Sequence, residues 1–152
     1  MKQNKPIILI VLLSLVIIAT VIYSQKNEVK ETVSHKTSEE ADMKDELIIY
    51  LFMDNIKSDS STFYDYYFSS QLTYYSYETK VLELKKDYAE GGIIHITFGS
   101  TPMIGAHNPV GYDELVYKVD AFGNITLEKY THLKSFDIPE WLRENMIKPY
   151  PE

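Results

Sequence analysis

The 152-residue chain contains no cysteine. Disulfides and lipid attachment through cysteine are therefore excluded, whatever the compartment. Several patterns that mark well-known chemistry are also missing. There is no glycine-rich phosphate loop, no His-Glu-x-x-His helix and no EF-hand run, and no cofactor is expected. No internal repeat is present, and nothing after the first forty residues suggests a second domain. Positive charge is scarce: 15 Lys and Arg stand against 22 Asp and Glu, a net charge of −7. Such a chain repels nucleic acid and anionic lipid headgroups, so no nucleic-acid partner is expected.

What the chain does have is one long apolar run. Lys2 and Lys5 lead into PIILIVLLSLVIIATVIY, residues 6–23. As a helix rising about 1.5 Å per residue the run is roughly 27 Å long, close to the hydrocarbon thickness of a bilayer. The positive-inside rule places Met1 in the cytoplasm and the chain beyond Ser24 outside. The run exceeds the 7–15 residues usual for a signal's apolar region, and no Ala-x-Ala follows it. The expectation is an uncleaved anchor, giving a single-pass membrane protein with its C-terminal domain outside. Secretion after signal cleavage is the alternative. Residues 1–24 thus form a signal-anchor or signal peptide, 25–37 a polar linker in which His35 has no assigned role, and 38–152 an extracytoplasmic domain.

Within that domain, Thr37-Ser-Glu-Glu40 has the spacing of a helix capping box. Met43, Leu47, Ile48, Leu51, Phe52 and Ile56 then line one helical face. Lys57-Ser-Asp-Ser60 reads as a break, followed by a short helix from Thr62 to Phe68 in which Phe63 and Tyr67 lie one turn apart. The period then changes to two. Leu82 and Leu84 share one face of a strand; Ile94, Ile96 and Phe98 share one face of the next, opposite Ile93, His95 and Thr97. Residues 114–120 and 124–130 form a hairpin in which Val119 faces Ile125 and Tyr117 faces Leu127, with Lys118 and Glu128 on the other side. Pro139 to Met146 reads as a short C-terminal helix. The fold class is α+β: an N-terminal membrane helix, then one or two helices packed on an antiparallel sheet of about four strands, then a short closing helix.

Thirteen tyrosines are present, six of them between Tyr64 and Tyr77. The cluster suits an aromatic binding surface for sugars or peptides, or a core edge with its hydroxyls in water.

The segments Gly105-Ala-His-Asn108, Val110-Gly111 and Leu127-Glu-Lys-Tyr-Thr-His-Leu-Lys-Ser-Phe136 resemble domain of unknown function family 3888, a family of small exported proteins of spore-forming Gram-positive bacteria. The resemblance spans roughly residues 44 to 139. It implies a signal-like start, a helix ending in an aromatic cluster such as Tyr64-Asp-Tyr-Tyr67, then strands, the loop and a last strand. This chain departs from the pattern at Pro109 and in its longer tail after Pro139. The family has no assigned activity, so the resemblance implies export and a single domain and carries over no catalytic residue.

The candidate ligand-binding residues are His107, Asn108, Gly105 and Tyr112, in or beside the loop that Gly105 and Gly111 bound. Glycine admits a positive φ at each end, and Asn108 is held extended by Pro109. Turn chemistry accounts for every residue of the loop except His107. A metal site would draw on His95, His107 and His132, with His95 and His132 both pointing away from the apolar face; none of the three stands at a local ligand spacing. The nearest set for a hydrolase is Ser100, His107 and Asp113, without the strained elbow that activates a nucleophile. Asp113 and Glu114 point to opposite faces of a strand and make no dyad. The function expected is a non-catalytic binding module at the cell envelope, anchored through residues 6–23, with a protein, peptide or envelope glycan as partner. The alternatives are a metal-assisted hydrolase using the three histidines, and a structural envelope or spore-associated protein.

Overall fold

The computed structural model describes residues 5–89, 91–105 and 107–151, with side chains from Thr20 onward except at Gln25 and residues 27–38. Its contacts divide the chain between Met43 and Lys44 into two units. A single helix, α1, runs from Lys5 to Tyr64. The capping box at Thr37 and the break at Lys57–Ser60 are therefore not used, and the second helix is the end of the first. The reason lies in the helix breakers: no glycine occurs before Gly91 and no proline between Pro6 and Pro102. Without them, the Glu-, Lys- and Gln-rich stretch has no local reason to leave the helix. Among the described residues no helix is long and apolar enough to cross a membrane. The side chains of residues 6–19, most of the run that carries the membrane expectation, lie outside the described residues.

In the second unit, four antiparallel strands are ordered β1-β2-β5-β6: β1 Thr79–Asp87, β2 Ile93–Ser100, β5 Gly111–Val119 and β6 Ile125–Ser135. A small ribbon, β3 Met103–Ile104 with β4 Asn108–Pro109, is inserted between β2 and β5. The expected hairpin register holds: Val119 opposes Ile125 and Tyr117 opposes Leu127. Ile96, Phe98, Leu115 and Tyr117 make one face of the sheet, and Ile49, Phe52 and Ile56 of α1 pack on it. The rings of Phe52, Phe98 and Tyr117 meet at 5.1–5.9 Å in tilted and edge-on pairs, a favoured aromatic geometry.

Two expected stripes are rotated. On α1, Met43, Leu47 and Leu51 are exposed, and burial instead follows Ile49, Phe52, Ile56, Ser60 and Tyr64. Because the helix is unbroken, its buried stripe must continue at three- and four-residue steps to Tyr64. In β1, Leu82 is an extra residue between Val81, opposite Phe98, and Glu83, opposite Thr97. That bulge separates Leu82 and Leu84 onto different faces.

A second core closes one end of the sheet: Tyr64, Phe68, Leu72, Ile104, Val110, Ile138 and Leu142. The C-terminal segment reaches it through a short 3-10 helix, Glu140–Asn145, which takes the place of the expected α-helix. Ser69 N–H donates to the Asn145 carbonyl and Ile147 N–H to that of Tyr67, tying the tail to the end of α1.

Candidate functional site

The polar centre of the second unit is built by β6. Two residues of this strand, Glu128 and Leu133, have no partner in the β5–β6 register: Val116 opposes Lys129 while Tyr117 opposes Leu127, and Tyr112 opposes Lys134 while Asp113 opposes His132. Each extra residue inverts which side chains face the core. Leu127 faces α1; after the first bulge Tyr130 and His132 do; after the second, Ser135 does. The expectation that His132 points away from the apolar face is thereby overturned.

What gathers there is a chain of hydrogen bonds. Asp113, fully buried, accepts from the Tyr64 hydroxyl on Oδ1 at 2.9 Å. The same oxygen lies 2.8 Å from His132 Nδ1, and His132 Nε2 lies 2.9 Å from Ser135 Oγ. A carboxylate only accepts, so the imidazole proton belongs on Nδ1 and Nε2 is left to accept from the Ser135 hydroxyl. The His132 ring is stacked on Phe63 at 4.6 Å and meets Tyr64 and Tyr150 edge-on. Gly111 makes the approach possible. A Cβ there would lie 2.6 Å from both His132 Cε1 and Tyr64 Oη and 2.8 Å from the Lys134 carbonyl. Gly111 thus serves close packing, not the positive φ expected of it, which Gly105 does adopt at +58°.

Burial pushes the Asp113 carboxyl above its ordinary range, opposed by the bonds from His132 and Tyr64. Burial, with the Asp113 charge beside it, likewise holds the hydroxyls of Tyr64, Tyr74 and Tyr130 in their neutral form. Ser135 ends the chain at a cleft of about 580 Å³, which it lines together with Ile138, Arg143, Met146 and Tyr150.

The loop at Gly105 is a tight turn of the β3–β4 ribbon. Asn108 Nδ2 donates to the Ile104 carbonyl at 3.2 Å, bracing that turn. His107 is exposed and adopts φ +63°, the sole positive φ of a non-glycine residue among those described. Its Nδ1 lies 3.2 Å from Tyr77 Oη. The Tyr75 ring lies 5.0 Å and 22° from that of Tyr77, and 5.2 Å and 19° from that of His107. Were Tyr75 sandwiched between them, the other two rings would be too far apart to bond. Tyr77 and His107 therefore lie edge to edge over one side of Tyr75, forming an aromatic platform at the surface.

The remaining sequence candidates are dispersed. His95 is on the outer face, with Nδ1 2.7 Å from Glu128 Oε2. It opposes Lys118, whereas His132 opposes Asp113 on the face toward α1, and His107 is on the ribbon. The three histidines do not converge, and among the described residues no group of three or more His, Asp or Glu is placed to hold a metal ion. Tyr112 lies on the outer face against Gly99, where any side chain would collide with its hydroxyl. Ser100 bonds Thr79 and not a histidine. The tyrosine cluster is divided: Tyr64 is core, Tyr66 is exposed with Lys148 Nζ 3.2 Å from its ring centre, and Tyr75 and Tyr77 form the platform. Ser135 and Tyr64 were not among the sequence candidates. No local signal marks them, because the β5–β6 register and its two bulges bring them and His132 together.

A helix on one face of a four-stranded antiparallel sheet, with a polar chain buried between them, defines a small α+β domain. Residues 43–134 match the family described as "Protein of unknown function (DUF3888)", and the chain belongs to that family. Asp113 and His132 lie inside the matched span, and Ser135 lies one residue beyond it. No curated protein and no solved structure matches the chain.

Proposed function

We propose that this protein is an exported, membrane-anchored binding module that holds a glycan of the cell envelope on the Tyr75–Tyr77–His107 platform. The observation that carries the reading is the exposed platform itself. Tyr77 is 61% exposed although its ring is part of an ordered stack. A left-handed backbone at a non-glycine residue costs about 1 kcal/mol or more, and such strain is concentrated at functional sites. Flat ring faces suit the apolar face of a sugar, while the rim of the same rings offers hydrogen-bonding groups. Anchoring through residues 6–23, with the domain outside, rests on the length and apolar character of that run and on Lys2 and Lys5 before it.

The test is co-sedimentation of the full-length protein, in detergent, with purified peptidoglycan, alongside titration with soluble N-acetylglucosamine oligomers. Tyr77→Ala and His107→Ala are expected to weaken binding about tenfold, the order of one lost ring contact. Wild-type protein that stays in the supernatant and ignores the oligomers would sink the reading. Binding that both variants retain would move the site elsewhere. Protease digestion of intact cells, followed by membrane fractionation, tests the anchoring separately.

A further inference from the structure

Ser135, His132 and Asp113 stand in the order hydroxyl, imidazole, buried carboxylate, joined at 2.9 and 2.8 Å. Those are the distances at which an imidazole, oriented by a carboxylate on one nitrogen, takes a proton from a hydroxyl on the other. Three further features distinguish the arrangement from a chance contact of polar residues. The Tyr64 hydroxyl donates to the same Asp113 oxygen, which fixes the carboxylate. Phe63, stacked on the His132 ring, fixes the plane of the imidazole. The hydroxyl end opens on a cleft, whereas the carboxylate end is fully buried, so one end alone is open to a ligand.

From this geometry we infer that Ser135 is an activated nucleophile and that the cleft takes carboxylic esters with a small apolar acyl group. Phe136, Ile138, Met146 and Tyr150 supply apolar lining. Asp137 and Arg143, the latter held through Nε on the Ile138 carbonyl, bring one charge of each sign to the same cleft, and the cation is the one suited to the negative charge that develops on the reacting carbonyl. Ser135 Oγ adds to the ester carbonyl carbon as its proton passes to His132 Nε2. The tetrahedral centre collapses by breaking the bond to the alcohol oxygen, which leaves with that proton. Water then adds to the acyl-serine carbonyl and gives a proton to Nε2. Release of the carboxylic acid returns that proton to Ser135 Oγ. The net change is ester plus water to acid plus alcohol. The inference does not use the aromatic platform and stands or falls independently of it.

Two measurements on the full-length protein in detergent test it. The first is reaction with a fluorophosphonate probe, with peptide mass mapping and hydrolysis of p-nitrophenyl butyrate. Wild type is expected to carry the adduct on Ser135, and Ser135→Ala, which trims a half-buried hydroxyl, to lose both adduct and hydrolysis. His132→Gln is expected to slow both by about 100-fold or more, the range of a lost general base. The second exploits the absence of cysteine. Ser135→Cys places a single thiol beside His132, and iodoacetamide is expected to alkylate it at least about tenfold faster than a thiol introduced by Ser69→Cys at an exposed position. Both expectations must hold. A wild type without adduct at Ser135, or a Ser135→Cys thiol no faster than the Ser69→Cys control, overturns the inference and leaves the chain of bonds as a brace between β5, β6 and α1.

Discussion

His132 and His107 are the same side chain in opposite circumstances. His132 sits between α1 and the sheet with 13% of its side chain exposed, both ring nitrogens within bonding distance of a partner and a phenylalanine ring against its face. His107 stands on a two-strand ribbon, exposed, in a left-handed backbone conformation, touching Tyr75 and Tyr77. One is fixed by what surrounds it; the other is held out by the backbone at a conformational cost. The contrast teaches that a histidine's part in a fold is read from how many elements hold it. Three elements converge on His132, whereas the His107 ring lies against Tyr75 and Tyr77 in the segment leading into β1.

Breaking the buried arrangement gives the largest expected effect. Gly111→Ala drives a methyl group to within 2.6 Å of His132 Cε1 and Tyr64 Oη. The neighbouring carbonyl of Lys134 cannot give way as a flexible side chain would. Overpacking of this kind costs about 3 kcal/mol, which should lower the thermal midpoint by roughly 10 °C or more. An unchanged midpoint would mean that β5 and β6 separate easily, and that His132 is less firmly held than its contacts indicate.

A smaller effect follows from Asp113→Asn, which keeps the shape of the side chain and removes its charge. The loss of a charge-assisted bond to His132 is expected to cost about 2 kcal/mol near neutral pH. The pH dependence has a definite sign. Burial raises the folded carboxyl above its ordinary value, so the folded state binds the proton more readily than the unfolded chain. The stabilisation from that proton is fully present below the unfolded pKa and is lost as pH rises through the folded one. Between pH 7 and about 4, the wild type should therefore gain stability relative to Asp113→Asn, in which residue 113 cannot titrate. Denaturation midpoints of the two proteins at both pH values measure this. A gap that does not move would show that the paired imidazole and hydroxyl cancel the cost of burial.

The smallest effect belongs to His107. His107→Gly relieves the left-handed backbone and gives up the ring contacts, two terms of about 1 kcal/mol and opposite sign. The thermal midpoint should stay within a few degrees of wild type. A loss as large as that from Gly111→Ala would erase the distinction between the two histidines.

Much of the sheet was legible because alternation is a local signal. Ile94, Ile96 and Phe98 share a face, and Tyr117 opposes Leu127, as their period of two requires. The end of α1 was misread because Ser58, Asp59 and Ser60 resemble a break by composition, whereas Ser60 is buried in the helix face that packs on the sheet. The polar centre was the least legible part. Asp113 and His132 become neighbours only through the β5–β6 register, and His132 turns inward only because Glu128 is extra. Both the pairing and the bulge are set by tertiary packing, which no single stretch of sequence expresses. Asn108, a candidate for ligand binding, donates from Nδ2 to the Ile104 carbonyl and so braces its own turn.

The two extra residues of β6 also make the number of residues as meaningful as their identity. Leu127 and His132 are five positions apart, and His132 and Ser135 three, yet all three side chains face the helix. In a regular strand an odd separation places them on opposite sides. A chain that kept all five steps but paired Glu128 in the ladder would turn the imidazole out to solvent and empty the polar centre, whereas one that lacked Glu128 would have an even spacing and a regular strand would still turn it inward. When members of this family are aligned, a single-residue gap at Glu128 or Leu133 is therefore compatible with the same polar centre, provided that the spacing and the bulge are lost together.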